Sequence, residues 1–100
     1  MIVYPDNQIL VSSATIWELA IKQAQGRLDF PMARLESILI EMGFDIMPIL
    51  PAHAIAAGAL PRHHGDPFDR MLIAQAQIEH AVLVTQDAVI GRYEVQVLGR

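Results

Sequence analysis

The apolar positions change their period along the chain, and each change marks an element. Ile9-Leu10-Val11 is a short, partly β-branched apolar run that reads as a buried strand. After Ser12 and Ser13 the spacing lengthens. Ile16, Leu19, Ala20 and Ala24 share one helical face, and Gly26 supplies a stop, so a helix is expected to about Gln25. Asp29-Phe30-Pro31 opens a second helix with Pro31 near its first position. Leu35, Ile38, Leu39 and Met42 then recur at helical spacing until Gly43. Ile46 to Leu50 returns to strand character, and Pro48 inside it points to a sheet edge. Pro51 starts a short alanine-rich helix to about Ala59, closed by Leu60-Pro61.

Beyond the loop Arg62 to Gly65, Asp66 is placed to cap a helix and Pro67 to occupy its first position. The segment Asp69 to His80 would be about 16 Å long at ~1.5 Å per residue. A strand from Ala81 to Gln86 climbs back over roughly that distance at ~3.3 Å per residue. Asp87 therefore returns to the level of Asp69. A helical turn from Asp87 to Arg92 and a strand from Val95 to Leu98 complete the chain. Met1 to Gln8 reads as polar and turn-like around Pro5-Asp6-Asn7. The succession predicts one α/β domain over residues 1–100 with a parallel sheet. In such sheets ligands bind outside the carboxyl ends of the strands.

Composition narrows the classes. A hydrophobic share of 53% is ample for a core, and no apolar run reaches the ~18 residues of a membrane span. With no cysteine there is no disulfide framework and no thiolate metal site, which fits a cytoplasmic protein. The formal charge of −4 gives no global basic field, so contact with nucleic acid has to come from a local patch or bound cations. No glycine fingerprint follows any strand, which argues against a Rossmann-type nucleotide site.

The carboxyl-edge rule gathers Glu18, Asp69 and Asp87 on one rim. Clustered carboxylates raise one another's pKa unless a cation compensates them. Hard oxygen donors suit Mg²⁺ or Mn²⁺, which also contact phosphate oxygens. Each acid has a plainer explanation too. Thr15 and Glu18 fit a capping box, Asp69 favours its helix dipole, and Asp87 can cap the turn it begins. Lys22, four residues after Glu18, makes either a solvated pair with it or, with Arg62 and Arg70, a small positive rim for phosphates. His53 and His80 read as helix-surface residues, His63 and His64 as solvated loop, and Trp17 as core.

Leu10 to Leu28 (LVSSATIWELAIKQAQGRL), His63 to Gln77 (HHGDPFDRMLIAQAQ), Leu83 to Asp87 (LVTQD) and Tyr93 to Leu98 (YEVQVL) together resemble the PIN-domain family, in particular its VapC-like toxins of prokaryotic toxin–antitoxin pairs. The resemblance covers nearly the whole chain in order. It implies a three-layer α/β/α fold and a Mg²⁺- or Mn²⁺-dependent endoribonuclease acting on RNA phosphodiesters. Glu18 matches the glutamate of the W-E motif, Asp69 the helix-opening aspartate of D-P-F-D-R with Asp66 as a neighbouring ligand, and Asp87 the aspartate of T-x-D supported by Thr85. A cognate antitoxin protein is the implied partner.

The family also opens with a strand closing on an aspartate, as in L-L-D-T-H, and Asp6 in its turn is no counterpart. The expectation is an N-terminally truncated domain lacking its first, central strand and one acid. The strands at Ile9 and Ala81 would then have no shared neighbour, inviting pairing into a homodimer or larger assembly. A second reading is a non-cleaving module that dimerises and engages an antitoxin peptide through the same acids.

Overall fold

Pro5-Asp6-Asn7 does form a turn, and the turn folds the opening residues back as a strand. The Tyr4 carbonyl accepts from the Asn7 N–H at 2.9 Å, and the Tyr4 N–H donates to the Gln8 carbonyl at 3.0 Å. Asn7 takes the left-handed conformation, φ 69°, that closes a three-residue hairpin loop, and Asp6 Oδ1 steadies it by accepting from the Gln8 N–H at 3.1 Å. The computed structural model describes residues 1–63, 65–84 and, as backbone, 96–98.

The strands are β1 (Ile2–Val3), β2 (Ile9–Ser12), β3 (Asp45–Met47), β4 (Val82–Val84) and β5 (Gln96–Leu98). Between them lie α1 (Ser13–Ala24), a 3₁₀ turn at Met32–Arg34, α2 (Leu35–Glu41), α3 (Pro51–Ala59) and α4 (Pro67–Glu79). The sheet order is β3-β2-β1-β4-β5. β2 pairs parallel with β3, and β4 parallel with β5. β1 runs antiparallel to both of its neighbours, with Ile2 opposite Leu10 on one side and Leu83 on the other. The fold is α/β with a mixed sheet, where a parallel one was expected.

This central hairpin strand corrects two expectations. Met1 to Gln8 is more than a turn, and the place between β2 and β4 is filled from within the chain. The physical reason lies in the core. Ile2 is fully buried and packs with Leu10, Met47, Ile73, Ala76, Ala81 and Leu83. The strand is only two residues long and the apolar run Met1 to Tyr4 around it shows no alternation, so only the hairpin turn that follows signalled it.

Other boundaries moved by a few residues for local reasons. Pro31 is not yet helical, ψ 82°, so the chain makes its 3₁₀ turn first and α2 starts at Leu35. β3 stops at Met47 because Pro48 has no N–H to donate, and it does lie at a sheet edge. Gly26 and Gly43, φ 73° and 92°, end their helices as expected. His80 ends α4 in the same left-handed conformation, φ 54°. The expected turn at Asp87 to Arg92 lies outside the described residues. Among those described, no helix is long and apolar enough to cross a membrane.

Candidate active site

The start of α4 is built by Asp66. Its Oδ1 accepts from the backbone N–H groups of Phe68 at 2.8 Å and Asp69 at 3.2 Å, satisfying donors that the first helical turn leaves open. Pro67 follows at the first position, where the lack of an N–H costs nothing. Asp69 then falls in the first turn, half-buried. Asp66 is thus a capping residue whatever else it holds.

The start of α1 is built by Ser12, not by Thr15. Ser12 Oγ accepts from the Ala14 N–H at 3.0 Å and donates to Gln75 Oε1 at 2.6 Å. The cap and the tie to α4 are therefore one hydroxyl. Thr15 sits inside the first turn, and Glu18 lies beyond it, so the capping-box explanation of Glu18 does not hold. Glu18 is half-buried. Next to it, Trp17 meets Phe68 edge-on, with ring centroids 5.0 Å apart and planes at 70°. That contact brings the Glu18 turn of α1 against the Asp69 turn of α4. Thr85 and Asp87 lie outside the described residues.

All the candidate donors are carboxylate oxygens, the chemistry of a hard divalent cation. Among the described residues no group of three or more acidic, histidine or cysteine side chains is disposed around one ion. The helix starts thus bring Glu18 and Asp69 to neighbouring turns without completing a ligand set.

Behind these turns runs a buried polar chain that sequence reasoning missed. Gln75, fully buried, also donates to the Pro48 carbonyl at 3.2 Å and lies 3.4 Å from His53 Nδ1. His53 is 1% exposed, against the expected surface position. Its Nδ1 accepts from the Leu50 N–H at 3.0 Å, so the ring hydrogen sits on Nε2 and is donated to Glu79 Oε2 at 3.0 Å. Tyr4 donates to Glu79 Oε1 at 2.9 Å. The bond from His53, then that from Tyr4, holds the Glu79 carboxyl below its usual range, while burial and the Glu79 bond raise the Tyr4 phenol. Both His53 nitrogens are engaged, so this histidine positions α3 and does not ligate. Two signals pointed to the chain: His53 is the third residue after Leu50, the reach-back position of a helix start, and Gln75 interrupts an alanine-rich core face.

A model of the PIN domain matches residues 3–95. The chain belongs to the PIN domain family. No curated protein and no solved structure matches the chain significantly. PIN domains are nuclease-type modules, commonly met in VapC toxins and typically dependent on divalent metals, and the matched span includes both acidic helix starts.

In this PIN domain the basic candidates part company. Arg70 donates to the carbonyls of Ala57 at 2.9 Å, Leu60 at 3.0 Å and Pro61 at 3.1 Å. It clamps the end of α3, whose last carbonyls lack helical partners, to the start of α4. Arg62 is exposed, and with Arg70, Gly58 and Gly65 it lines a cleft of about 320 Å³. Lys22 stands apart in the last turn of α1 and makes no ion pair with Glu18 among the described residues. Trp17, expected in the core, is 60% exposed.

Proposed function

We propose that this PIN domain is a VapC-like toxin, a cytoplasmic endoribonuclease that hydrolyses RNA phosphodiester bonds with Mg²⁺ or Mn²⁺. The observation that carries the reading is the Trp17–Phe68 contact, which apposes the two helix turns bearing Glu18 and Asp69 in a chain matched to the family over residues 3–95. Asp69, Glu18 and Asp87 would hold the cation, with Asp66 at their side and Thr85 supporting Asp87. When bound, the cation supplies an acidified water and neutralises charge on the phosphate oxygens. The protein's own part is to set the helix turns that carry the carboxylates beside one another. Asp69 lies in the first turn of α4, where the helix dipole favours negative charge. The buried Ser12–Gln75 bond ties the start of α1 to α4, the two helices that carry Glu18 and Asp69.

A second reading has an observation of its own. The central strand presents Ile2 and Val3, which bring no carboxylate to the sheet. With fewer acids the same surface would bind a basic antitoxin segment without cutting RNA. A cleavage assay separates them. Incubation of RNA with the protein and Mg²⁺ or Mn²⁺ should give products that EDTA, Asp69→Asn or Asp87→Asn each abolishes. Cleavage that survives both substitutions would rule out the ribonuclease reading. No cleavage, with tight binding of a basic peptide that Asp69→Asn removes, would establish the second.

A further inference from the structure

Two clefts lie beside the acidic turns, and hydrolysis alone explains neither. The first, of about 230 Å³, has Trp17 and Phe68 among its walls, with Ala14, Gly58 and Met71 around them. The second is the cleft of Arg62 and Arg70. Gly58 and Arg70 line both, so an aromatic, apolar recess opens beside a basic one. We propose that the pair binds one nucleotide of single-stranded RNA, its unpaired base against Trp17 and its phosphate between Arg62 and Arg70. The proposal deepens the ribonuclease reading and rests on it for the class of substrate.

Size, charge and position favour this occupant over a peptide. The apolar recess is smaller than the ~300–1,000 Å³ that enclose a whole small molecule, which suits one flat ring system. Bases stack on exposed aromatic rings whatever their identity, because each has a π-face. Trp17 is 60% exposed, and its edge-on contact with Phe68 restrains it in that position. The neighbouring charge is of the sign a phosphate needs, on a chain whose net charge is −4 and which must attract RNA locally. Arg70 is fixed by the α3 carbonyls, so its charge is already in place before RNA arrives. Trp17 and Phe68 belong to the same helix turns as Glu18 and Asp69, so a base held there would lie near the proposed cation site.

The chain has a single tryptophan, which makes its fluorescence a direct reporter. A short single-stranded oligoribonucleotide, added to the full chain in EDTA so that no cleavage occurs, should quench it saturably. An abasic oligomer of the same length should not. A Cβ built on Gly58 meets nothing within 4 Å, so a larger side chain there projects into open space shared by both clefts. Gly58→Leu should weaken RNA affinity roughly 5- to 150-fold, the range that loss of one stacked base carries, with no fall in Tm. Should that variant fail to fold, Trp17→Ala, read by anisotropy of a labelled oligomer, should show the same loss. Absence of quenching, equal quenching by the abasic oligomer, or unchanged affinity in the variants would overturn the proposal. So would saturable quenching by an apolar helical peptide where RNA gives none. Failure of the ribonuclease reading would show instead as missing or Asp69-independent cleavage with metal present, leaving binding in EDTA unchanged.

Discussion

Replacing Ile2 by alanine tests whether the N-terminal hairpin strand holds the sheet together. Ile2 is fully buried, and its neighbours come from β2, β3, α4 and β4, elements distributed over most of the chain. Truncating a buried isoleucine to alanine costs about 2–5 kcal/mol, the loss of transfer free energy plus the cavity left behind. The upper part of that range is expected here. A site walled by two paired strands and a helix cannot collapse around the void as a surface site can. For a chain of this size each kcal/mol moves Tm by about 4–8 °C, so a fall of at least ~8 °C should appear in a circular-dichroism melt. Ile2→Val, which removes one methylene, should cost only ~0.5–1.5 kcal/mol and fall between. Urea melts should show the midpoint shifting with the slope unchanged, as befits lost packing rather than a changed denatured state. A shift for Ile2→Ala within the ~0.5 kcal/mol typical of surface positions would refute the reasoning. Residues 1–8 would then be a turn with no strand behind it.

Three further outcomes follow from the site. Asp66→Ala should lower stability by about 0.5–2 kcal/mol in EDTA, because two N–H donors lose their cap, and Asp66→Ser should restore most of it; equal melting of both variants with the parent would deny the cap. Glu79 has its folded pKa held below its ordinary 4.5, so its contribution is complete above that value and is lost as pH falls through the lower folded one. Glu79→Gln should therefore flatten the acid limb of a Tm-against-pH curve, and parallel curves for variant and parent would count against the His53 and Tyr4 bonds. Millimolar Mn²⁺ should raise Tm in the parent and leave Asp69→Asn unmoved, since only a native-state site gains from mass action; no rise in the parent would argue against the cation site.

The sequence made some residues legible and hid others for identifiable reasons. Capping and breaking residues act locally, so Asp66-Pro67, Gly26, Gly43 and the Pro48 edge were readable from their own neighbourhoods. Thr15 shows the limit of that approach. Two overlapping caps were possible, and the pair chosen in the structure is the one in which Ser12 can also reach Gln75, a residue far along the chain. His53 and Trp17 failed for a related reason. Amino-acid type predicts average burial, but a histidine with two partners is content inside and a tryptophan beside a cleft is left outside. Ile2–Val3 was hidden by shortness.

The hairpin strand has a consequence for how the chain folds. β2–α1–β3 can assemble from nearby residues, and so can β4–β5. Only β1 among the described strands joins the two parallel pairs. Its pairing with β2 is local, across one tight turn, whereas its pairing with β4 spans almost the whole chain. Loop closure makes the distant register the slower one to form, although its entropic cost grows only gently with length, by ~0.6 kcal/mol per doubling. The expected order is hairpin first, with Ile2 as the hook that later captures Leu83. Turn residues Pro5 to Asn7 would then govern how much hairpin stands ready for that slower capture, and through it how fast the two halves of the sheet become one cooperative unit.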